Sequence, residues 1–177
     1  ACTRRGIWIT NTPGANADAV AEITIGLMLS MARKIPQAAT KVSAEKAWDS
    51  ARHIGTELKS KTLGLLGFGQ IGQRVAGIAQ AFGMKVIAYD PGLTPSEIKG
   101  KGSTPVSLEE LAKDSDVLSL HAPAIEATNQ IINKEFLGKM KASAKIINCA
   151  RGSLIDEQAL AQALNSGQLS GVALDVL

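Results

Sequence analysis

The feature that most constrains the fold is a glycine-rich segment, Gly67–Gly72, whose sequence is Gly-Phe-Gly-Gln-Ile-Gly. The apolar run Leu63–Leu66 precedes it, and a helical pattern begins at Ile71. A G-x-G-x-x-G string by itself is a weak signal, but between a strand and a helix it is typical of a loop that holds the pyrophosphate of a dinucleotide. The sequence therefore predicts a strand, a phosphate-binding loop and a helix in this order.

Each residue of this loop has a predicted role. Gly67 permits a tight turn, Gly69 leaves room for the pyrophosphate, and Gly72 lets the helix pack closely on the strand. The backbone N–H groups of Gln70 and Ile71, at the positive end of the helix, would bind the anion. Two alternatives are an ordinary β–α turn and a methyl-donor nucleotide bound on the same fold.

From Lys61 onward, short β-rich runs alternate with helical patterns. One helical face is marked by apolar residues at offsets of 4, 7, 8 and 11 from Ile71, and the helix stops at Gly83. Continuous apolar strands that alternate with helices indicate a parallel sheet covered on both faces. We therefore predict an α/β fold of the Rossmann type, a doubly wound parallel sheet. The predicted strands are Thr62–Leu66, Lys85–Tyr89, Val117–Leu120, Ala144–Asn148 and Val172–Val176.

The first 60 residues follow another pattern. A short β-like segment, Ile7–Ile9, precedes a helix that is capped by Asn16 or Asp18 and ends near Lys34; a weaker helix is predicted over 37–47. Apolar residues cover nearly the whole circumference of the first helix, which indicates burial on more than one side. We expect a homodimer through this helix. The alternative is that a further lobe of the protein covers it.

An acidic residue follows the second predicted strand. Asp90 comes 18 residues after Gly72, where a carboxylate can accept hydrogen bonds from the adenine-side ribose. The following Pro91-Gly92-Leu93 contains no Lys or Arg to receive a 2′-phosphate. The sequence therefore predicts NAD as the cofactor rather than NADP. The alternative is that Asp90 is a turn residue before Pro91.

Three other strand ends should meet the same ligand, because ligands of a doubly wound sheet bind beyond the carboxyl ends of its strands. Arg151 would aim a permanent cation into the cleft, where guanidinium suits a carboxylate; the alternative is a surface pair with Asp156. Asp175 is placed in an apolar strand, where an unpaired carboxylate is costly, so it would bind a ligand amide or its own backbone.

Two residues at these strand ends have reactive side chains. His121, in His121-Ala122-Pro123, is interpreted as part of a turn that shapes the pocket rather than as an acid or base. Cys149 is interpreted as a small buried residue, since no base can be placed beside it. With only Cys2 besides Cys149, the chain has no disulfide framework and no metal-ligand spacing, which favours a reducing cytoplasm and predicts no metal site.

Charge and hydropathy exclude other classes of partner. The net charge is +3, but the basic residues are scattered and aromatic residues are 3% of the chain, so nucleic acid is not an expected partner. The longest apolar stretch, Ile23–Ala32, is too short and too interrupted for a membrane span. The chain begins without Met and stops inside an apolar run, so we expect a piece of a longer protein.

These segments together resemble the D-isomer-specific 2-hydroxyacid dehydrogenases. Within that family, Asn148–Gly152 and Phe82–Met84 resemble the 3-phosphoglycerate branch. The resemblance runs almost from end to end. Its further segments are Asn11–Asn16, Val20–Glu22, Gly55–Leu58, Gly64–Gly72, Ala81–Val86, Tyr89–Pro91, Leu120–Pro123, Met140–Lys141, Asn148–Asp156 and Gly171–Val176.

The resemblance implies an NAD-dependent oxidoreductase of two lobes that moves hydride at C2 of a D-2-hydroxy or 2-oxo acid. Arg151 would orient the acid, Asp175 would bind the nicotinamide carboxamide, and a His–Glu acid–base pair would lie beyond Leu177, which implies no turnover by this chain alone. Relatives often carry Arg where this chain has Gln70. Backbone groups that would line the cofactor belong to His121, Ala122, Pro123, Cys149 and Ala150.

The implied organisation has three parts: 1–16 as a remnant of the substrate lobe, 17–60 as entering helices and linker, and 61–177 as the dinucleotide-binding domain. The rival function is an NAD-sensing, dimerising module of the corepressor type on the same fold. A catalytic Glu and His beyond this chain would favour the enzyme.

Overall fold

Six parallel strands form one sheet in a computed structural model that describes residues 2–46 and 53–177. The strand order is β3-β2-β1-β4-β5-β6, so the chain winds outward from β1 in one direction and then from β4 in the other. This is the predicted doubly wound sheet. The strands are β1 Thr62–Leu66, β2 Lys85–Tyr89, β3 Thr104–Pro105, β4 Val117–Leu120, β5 Lys145–Asn148 and β6 Gly171–Leu174.

Seven α-helices of the described residues surround or extend from the sheet. Two of them begin with a reciprocal capping box, Thr94 with Glu97 and Ser107 with Glu110. The helices are α1 Ala17–Arg33, α2 Ile35–Glu45, α3 Gln70–Ala81, α4 Pro95–Gly100, α5 Leu108–Asp114, α6 Lys134–Lys139 and α7 Glu157–Asn165.

The first three predicted strands have the observed bounds, and the fourth differs by one residue. The last prediction was shifted: β6 ends at Leu174, not Val176. An additional strand, β3, has only two residues, pairs with β2 and forms the edge of the sheet, where Pro105 is tolerated because its missing N–H faces no neighbour. A strand of two residues is too short to show a pattern of apolar residues, so the sequence did not predict it.

The short β-like segment Ile7–Ile9 does not form a strand in this chain. The segment has no strand assignment, and Trp8 is 93% exposed. Among the described residues no strand pairs with it, and an isolated extended segment has no partner for its backbone hydrogen bonds.

Helix α1 lies on one face of the sheet and shares its core. Buried residues of α1, among them Ile25 and Met28, pack in the same cluster as residues of β1, β2 and α3. The helix ends at Arg33, and the left-handed conformation of the next residue, Lys34 (φ 55°), lets α2 start in a new direction. The predicted last residue of that second helix, Ala47, lies outside the described residues.

The core consists of one apolar cluster on each face of the sheet. Alternate residues of β1 divide between them: Leu63 and Leu65 belong to the cluster under α1 and α3, and Leu66 to the cluster under α5, α6 and α7. Burial on both faces explains why the strands are apolar throughout. The layers therefore leave only the two ends of the strands free to bind a ligand.

Candidate active site: the carboxyl edge of the sheet

The site lies where the winding of the sheet reverses, between the ends of β1 and β4. Gly67 follows β1 with φ +92°, and a Cβ atom there would lie 2.6 Å from the carbonyl carbon and oxygen of His121, which follows β4. Neither the conformation nor the space admits a side chain. The tight turn expected at Gly67 is confirmed.

The other two glycines of the loop differ in what surrounds them. A Cβ at Gly69 would meet no atom within 4 Å, whereas a Cβ at Gly72 would lie 2.5 Å from the carbonyl oxygen of Gly67. No side chain caps the start of α3, so the N–H groups of Gln70 and Ile71 have no acceptor in the helix. Open space in front of free N–H groups fits the pyrophosphate of a dinucleotide.

The side chain of Gln70 turns toward the segment before α1. A Cβ at Gly14 would collide with Gln70 Oε1, so the two residues touch because Gly14 has no side chain. One turn further along α3, Arg74 forms an ion pair with Asp18 and donates from Nη1 to the carbonyl of Gln70 at 3.1 Å. Sequence reasoning missed this contact, since no local pattern signals it.

Asp90 connects the second strand to the glycine loop. Its Oδ2 accepts a hydrogen bond from the backbone N–H of Phe68 at 2.8 Å, and its Oδ1 accepts one from Gly92 at 2.9 Å. The half-buried carboxylate thus stands at the carboxyl edge beside the loop, where the ribose was predicted. It also shapes the turn before Leu93, as the alternative interpretation held.

The His121 imidazole is held inside the protein. Its Nε2 lies 2.9 Å from the hydroxyl of Ser119, and its Nδ1 is enclosed without a hydrogen-bond partner among the described residues. Burial lowers the pKa of His121 to about 4, so the ring is neutral at pH 7. A neutral, enclosed ring fits a residue that shapes the turn, with Ala122 buried and Pro123 exposed after it.

Asn148 organises the turn that carries Arg151. The fully buried Asn148 accepts from the N–H of Ala150 at 3.0 Å and donates from Nδ2 to the carbonyl of Arg151 at 2.8 Å. Arg151 is exposed and donates to the Ala150 carbonyl. Asp156 instead caps α7, so the alternative pair with Arg151 is not formed. The sequence analysis did not assign Asn148 a role, although an amide bonded two residues ahead is a common turn device.

Cys149 is buried, as predicted. Its thiol meets the hydroxyl of Thr24, a fully buried residue of α1, and burial is the main cause that raises the pKa of the thiol. A thiol with a raised pKa is a poor nucleophile at neutral pH. The contact also ties the end of β5 to α1.

The environment predicted for Asp175 was wrong. The residue follows β6 rather than lying in it, and its side chain is exposed; its backbone N–H donates to the Asn148 carbonyl at 2.9 Å. An exposed carboxylate is solvated, so the argument from the cost of burial does not apply. Its negative charge still acts on the Cys149 thiol, whose pKa it helps to raise, which places it at the same edge of the sheet.

The described residues offer neither a metal centre nor a membrane span. Among residues 2–46 and 53–177, no group of three His, Cys, Asp or Glu side chains could hold a metal ion. Within these ranges, no helix is long and apolar enough to cross a bilayer.

A glycine loop with free N–H groups, an acid beside it and an exposed arginine at one sheet edge are typical of a cofactor-binding domain of the Rossmann type. Comparison with known proteins identifies which one. Residues 25–177 match the model of the D-isomer specific 2-hydroxyacid dehydrogenase NAD binding domain, and the chain belongs to this family as its NAD-binding domain.

Similar proteins agree with this family. The chain is 46% identical over 176 residues to a D-3-phosphoglycerate dehydrogenase of Synechocystis sp., covering 99% of this chain and 32% of that protein. It is 48% identical to a hydroxypyruvate reductase of Thermotoga maritima, covering 97% of this chain and 55% of that protein. The chain thus spans about a third to a half of these relatives.

A solved structure agrees with the fold and cofactor. The crystal structure of D-lactate dehydrogenase from Aquifex aeolicus, complexed with NAD and lactic acid, superposes with a TM-score of 0.90 at 38% identity, over 99% of this chain and 53% of that one. The predicted family, its resemblance to the 3-phosphoglycerate branch, and NAD as cofactor are confirmed.

Proposed function

We propose that this chain is the cofactor half of an NAD-dependent dehydrogenase that acts on D-3-phosphoglycerate. The observation that carries the proposal is the exposed Arg151, whose backbone carbonyl accepts a hydrogen bond from Asn148 at the sheet edge that also holds the glycine loop. A cation there can bind the carboxylate of a 2-hydroxy acid beside the cofactor. The similarity to the Synechocystis enzyme supports the choice of acid.

The proposed roles divide between cofactor and substrate. Bound NAD supplies the hydride acceptor, and the protein orients it. Arg151 binds the carboxylate and polarises the reacting C2 oxygen. The residues that hold the cofactor are Gly67, Gly69, Gln70, Ile71 and Gly72 at the pyrophosphate, Asp90 at the ribose, His121, Ala122, Pro123, Cys149 and Ala150 along the cleft, and Asp175 at the carboxamide.

The proton of the substrate hydroxyl needs a base that these residues do not supply. His121 is enclosed and its pKa is about 4, so it is a weak base far from the usual catalytic range. Arg151 keeps its proton at neutral pH. We therefore place the acid–base pair in the part of the relatives that this chain does not cover.

This assignment is tested first on the chain itself. We expect NADH fluorescence to change on binding, with no NADH oxidation when phosphohydroxypyruvate, hydroxypyruvate or 2-oxoglutarate is added, because general acid–base assistance is typically worth ~10²–10⁴ in rate. Clear oxidation would show that the proton donor is inside the chain, and His121→Gln would then be the first variant to assay.

The choice of acid is tested on the longer protein that carries this chain. We expect kcat/KM with NAD to be highest for D-3-phosphoglycerate, compared with D-glycerate and D-lactate. Arg151→Gln should lower it at least tenfold, while Arg74→Gln, at an exposed ion pair, should keep the order of the three acids. A preference for D-glycerate would instead favour the hydroxypyruvate reductase type.

We also propose a homodimer formed through α1, in a reducing cytoplasm. Ile23 on α1 is 42% exposed, and Ile35 and Val42 on α2 are similarly exposed, which leaves apolar surface for a second copy. The sensing alternative gains no support from the relatives described above, which are named as dehydrogenases and a reductase.

A further inference from the structure

The segment that leads into α1 touches the start of α3 through Gly14. Residues 3–13 are exposed, whereas Gly14 is half-buried and Ala17, the first residue of α1, is buried. Gly14 has φ +79°, and a Cβ atom there would overlap Gln70 Oε1 and lie 2.8 Å from Gln70 Cδ. The amide end of Gln70 thus fills a notch that exists because Gly14 has no side chain.

Further contacts join α1 and α3 beside this notch. Arg74 forms an ion pair with Asp18 in the first turn of α1, and its Nη1 donates to the carbonyl of Gln70 at 3.1 Å. The Ala17 N–H donates to the Gly14 carbonyl at 3.0 Å, which connects the notch to α1. An exposed ion pair contributes little by itself, so the fit between Gln70 and Gly14 is the more specific contact.

The main chain of Gln70 belongs to the glycine loop side of the same turn. Gln70 is the first residue of α3, and because no side chain caps this helix, its N–H group has no acceptor there. Helix ends fray, and each opening of the first turn of α3 withdraws Gln70 from the notch. A pyrophosphate bound to the free N–H groups would supply the missing cap and hold this turn closed.

From this double contact, we propose that Gln70 is a positioning residue, whose side chain couples the cofactor loop to the segment 11–16. Bound cofactor restrains the first turn of α3, so Gln70 occupies the notch for a larger fraction of the time and holds the segment against the domain. The inference rests on the proposed role of the Gln70 N–H group in cofactor binding. Since residues 1–16 are expected to belong to the substrate lobe, this contact would help to set the position of that lobe relative to the cofactor.

The test is amide hydrogen exchange of the chain, followed by NMR without NADH and with saturating NADH. The N–H groups of Ala15 and Ala17 donate to the carbonyls of Thr12 and Gly14, so their exchange reports opening of the segment. We expect NADH to slow exchange at both amides at least about fivefold. NADH binding that leaves their exchange unchanged would overturn the coupling while the cofactor site stands. A lack of NADH binding by fluorescence would refute both.

Matched variants assign the coupling to the Gln70 side chain. Gln70→Ala keeps the N–H group but empties the notch, so exchange at Ala15 and Ala17 with saturating NADH should stay within about twofold of that without it. Gln80→Ala makes the same change at the other end of α3, where Gln80 donates to the Gly102 carbonyl, and should keep the wild-type ratio. A merely structural role would speed exchange equally with and without NADH. An unchanged ratio in Gln70→Ala would therefore refute the proposal.

A second pair of variants tests the notch from its other side. Gly14→Ala places a methyl group where the Gln70 amide lies, so it should also abolish the effect of NADH on exchange at Ala15 and Ala17. Gly77→Ala adds a methyl group to α3 with no atom near it and should keep the effect. A wild-type ratio in Gly14→Ala would show that Gln70 does not act through this notch.

Discussion

Asp90 Oδ2 lies 2.8 Å from the backbone nitrogen of Phe68, so the acid after β2 holds the middle of the glycine loop. Asp90 Oδ1 is bound in turn by the N–H of Gly92 at 2.9 Å. The carboxylate therefore sets the shape of the loop before any cofactor arrives. Its remaining lone pairs are the ones a ribose diol would use.

This geometry predicts selectivity for NAD over NADP. A dianionic 2′-phosphate beside Asp90 is repelled by about 1 kcal/mol per charge pair at 4 Å even in a water-like medium, so NAD should be preferred roughly tenfold or more. Asp90→Ala should narrow this gap and also weaken NAD, because Phe68 loses its acceptor. Asp90→Asn should narrow the difference in affinity between NAD and NADP with a smaller loss of NAD affinity. Fluorescence titration of each variant with NADH and NADPH measures both affinities. Tighter NADPH binding by the wild type would refute the prediction.

The glycine loop predicts that two alanine substitutions separate binding from folding. Gly69→Ala places a methyl group in open space, so it should change the free energy of unfolding by at most about 1 kcal/mol while weakening NADH binding at least tenfold. Gly72→Ala forces a methyl group onto the Gly67 carbonyl and should cost ~1–3 kcal/mol of stability.

Gly77→Ala, in the exposed middle of α3 with no atom near its Cβ position, is the control. It should stabilise the chain by about 0.5–1 kcal/mol without affecting NADH. Urea unfolding and NADH titration of the three variants are the measurements. Equal losses of NADH affinity in Gly69→Ala and Gly77→Ala would show that Gly69 does not contact the cofactor.

Burial of His121 predicts a loss of stability on mild acidification. Its pKa is lowered from 6.5 in the unfolded chain to about 4 in the folded one, so the unfolded chain takes up the proton first as pH falls. The free energy of unfolding is therefore unaffected by this ring above pH 6.5. Between pH 6.5 and pH 4 it falls progressively, by roughly 3 kcal/mol in total.

The measurement is urea unfolding at pH 7, 5.5 and 4.5. His121→Gln removes the titrating ring and should flatten the change of stability with pH in this range, whatever its effect at pH 7. Gly77→Ala, which adds and removes no titrating group, is the control and should keep the slope. A wild-type stability that is constant between pH 7 and 4.5 would contradict the burial of the His121 ring.

The exposed apolar surface of α1 predicts a self-associating chain. Ile23→Asp should give a monomer by light scattering at micromolar concentration, because it places a charge in the proposed interface. Leu27 is less suitable for this test, since it packs against the core and its substitution would also destabilise the fold. Ile125→Asp, which alters a still more exposed isoleucine outside α1 and α2, should remain dimeric. A monomeric wild type would end this proposal.

The sequence was sufficient for the strands and the glycine loop because their signals are local. A buried parallel strand must be apolar at every position, and the left-handed turn at Gly67 requires glycine. Two features of the site could not be predicted from the sequence, because they depend on contacts between distant segments. The hydrogen bond from Phe68 to Asp90 joins two strand ends, and the exposure of Asp175 depends on where β6 stops. The role of Asn148 was visible only as a turn propensity.

The position of α1 in the fold affects how the chain can be made. The helix is synthesised before the sheet, yet it packs against α3, β5 and β6, and β6 begins roughly 140 residues after the helix ends. At the usual rate of translation, ~5–20 residues/s, its apolar residues stay without their final neighbours for roughly 7–28 s. A ribosome-bound chain therefore presents this helix to chaperones before any cofactor site exists.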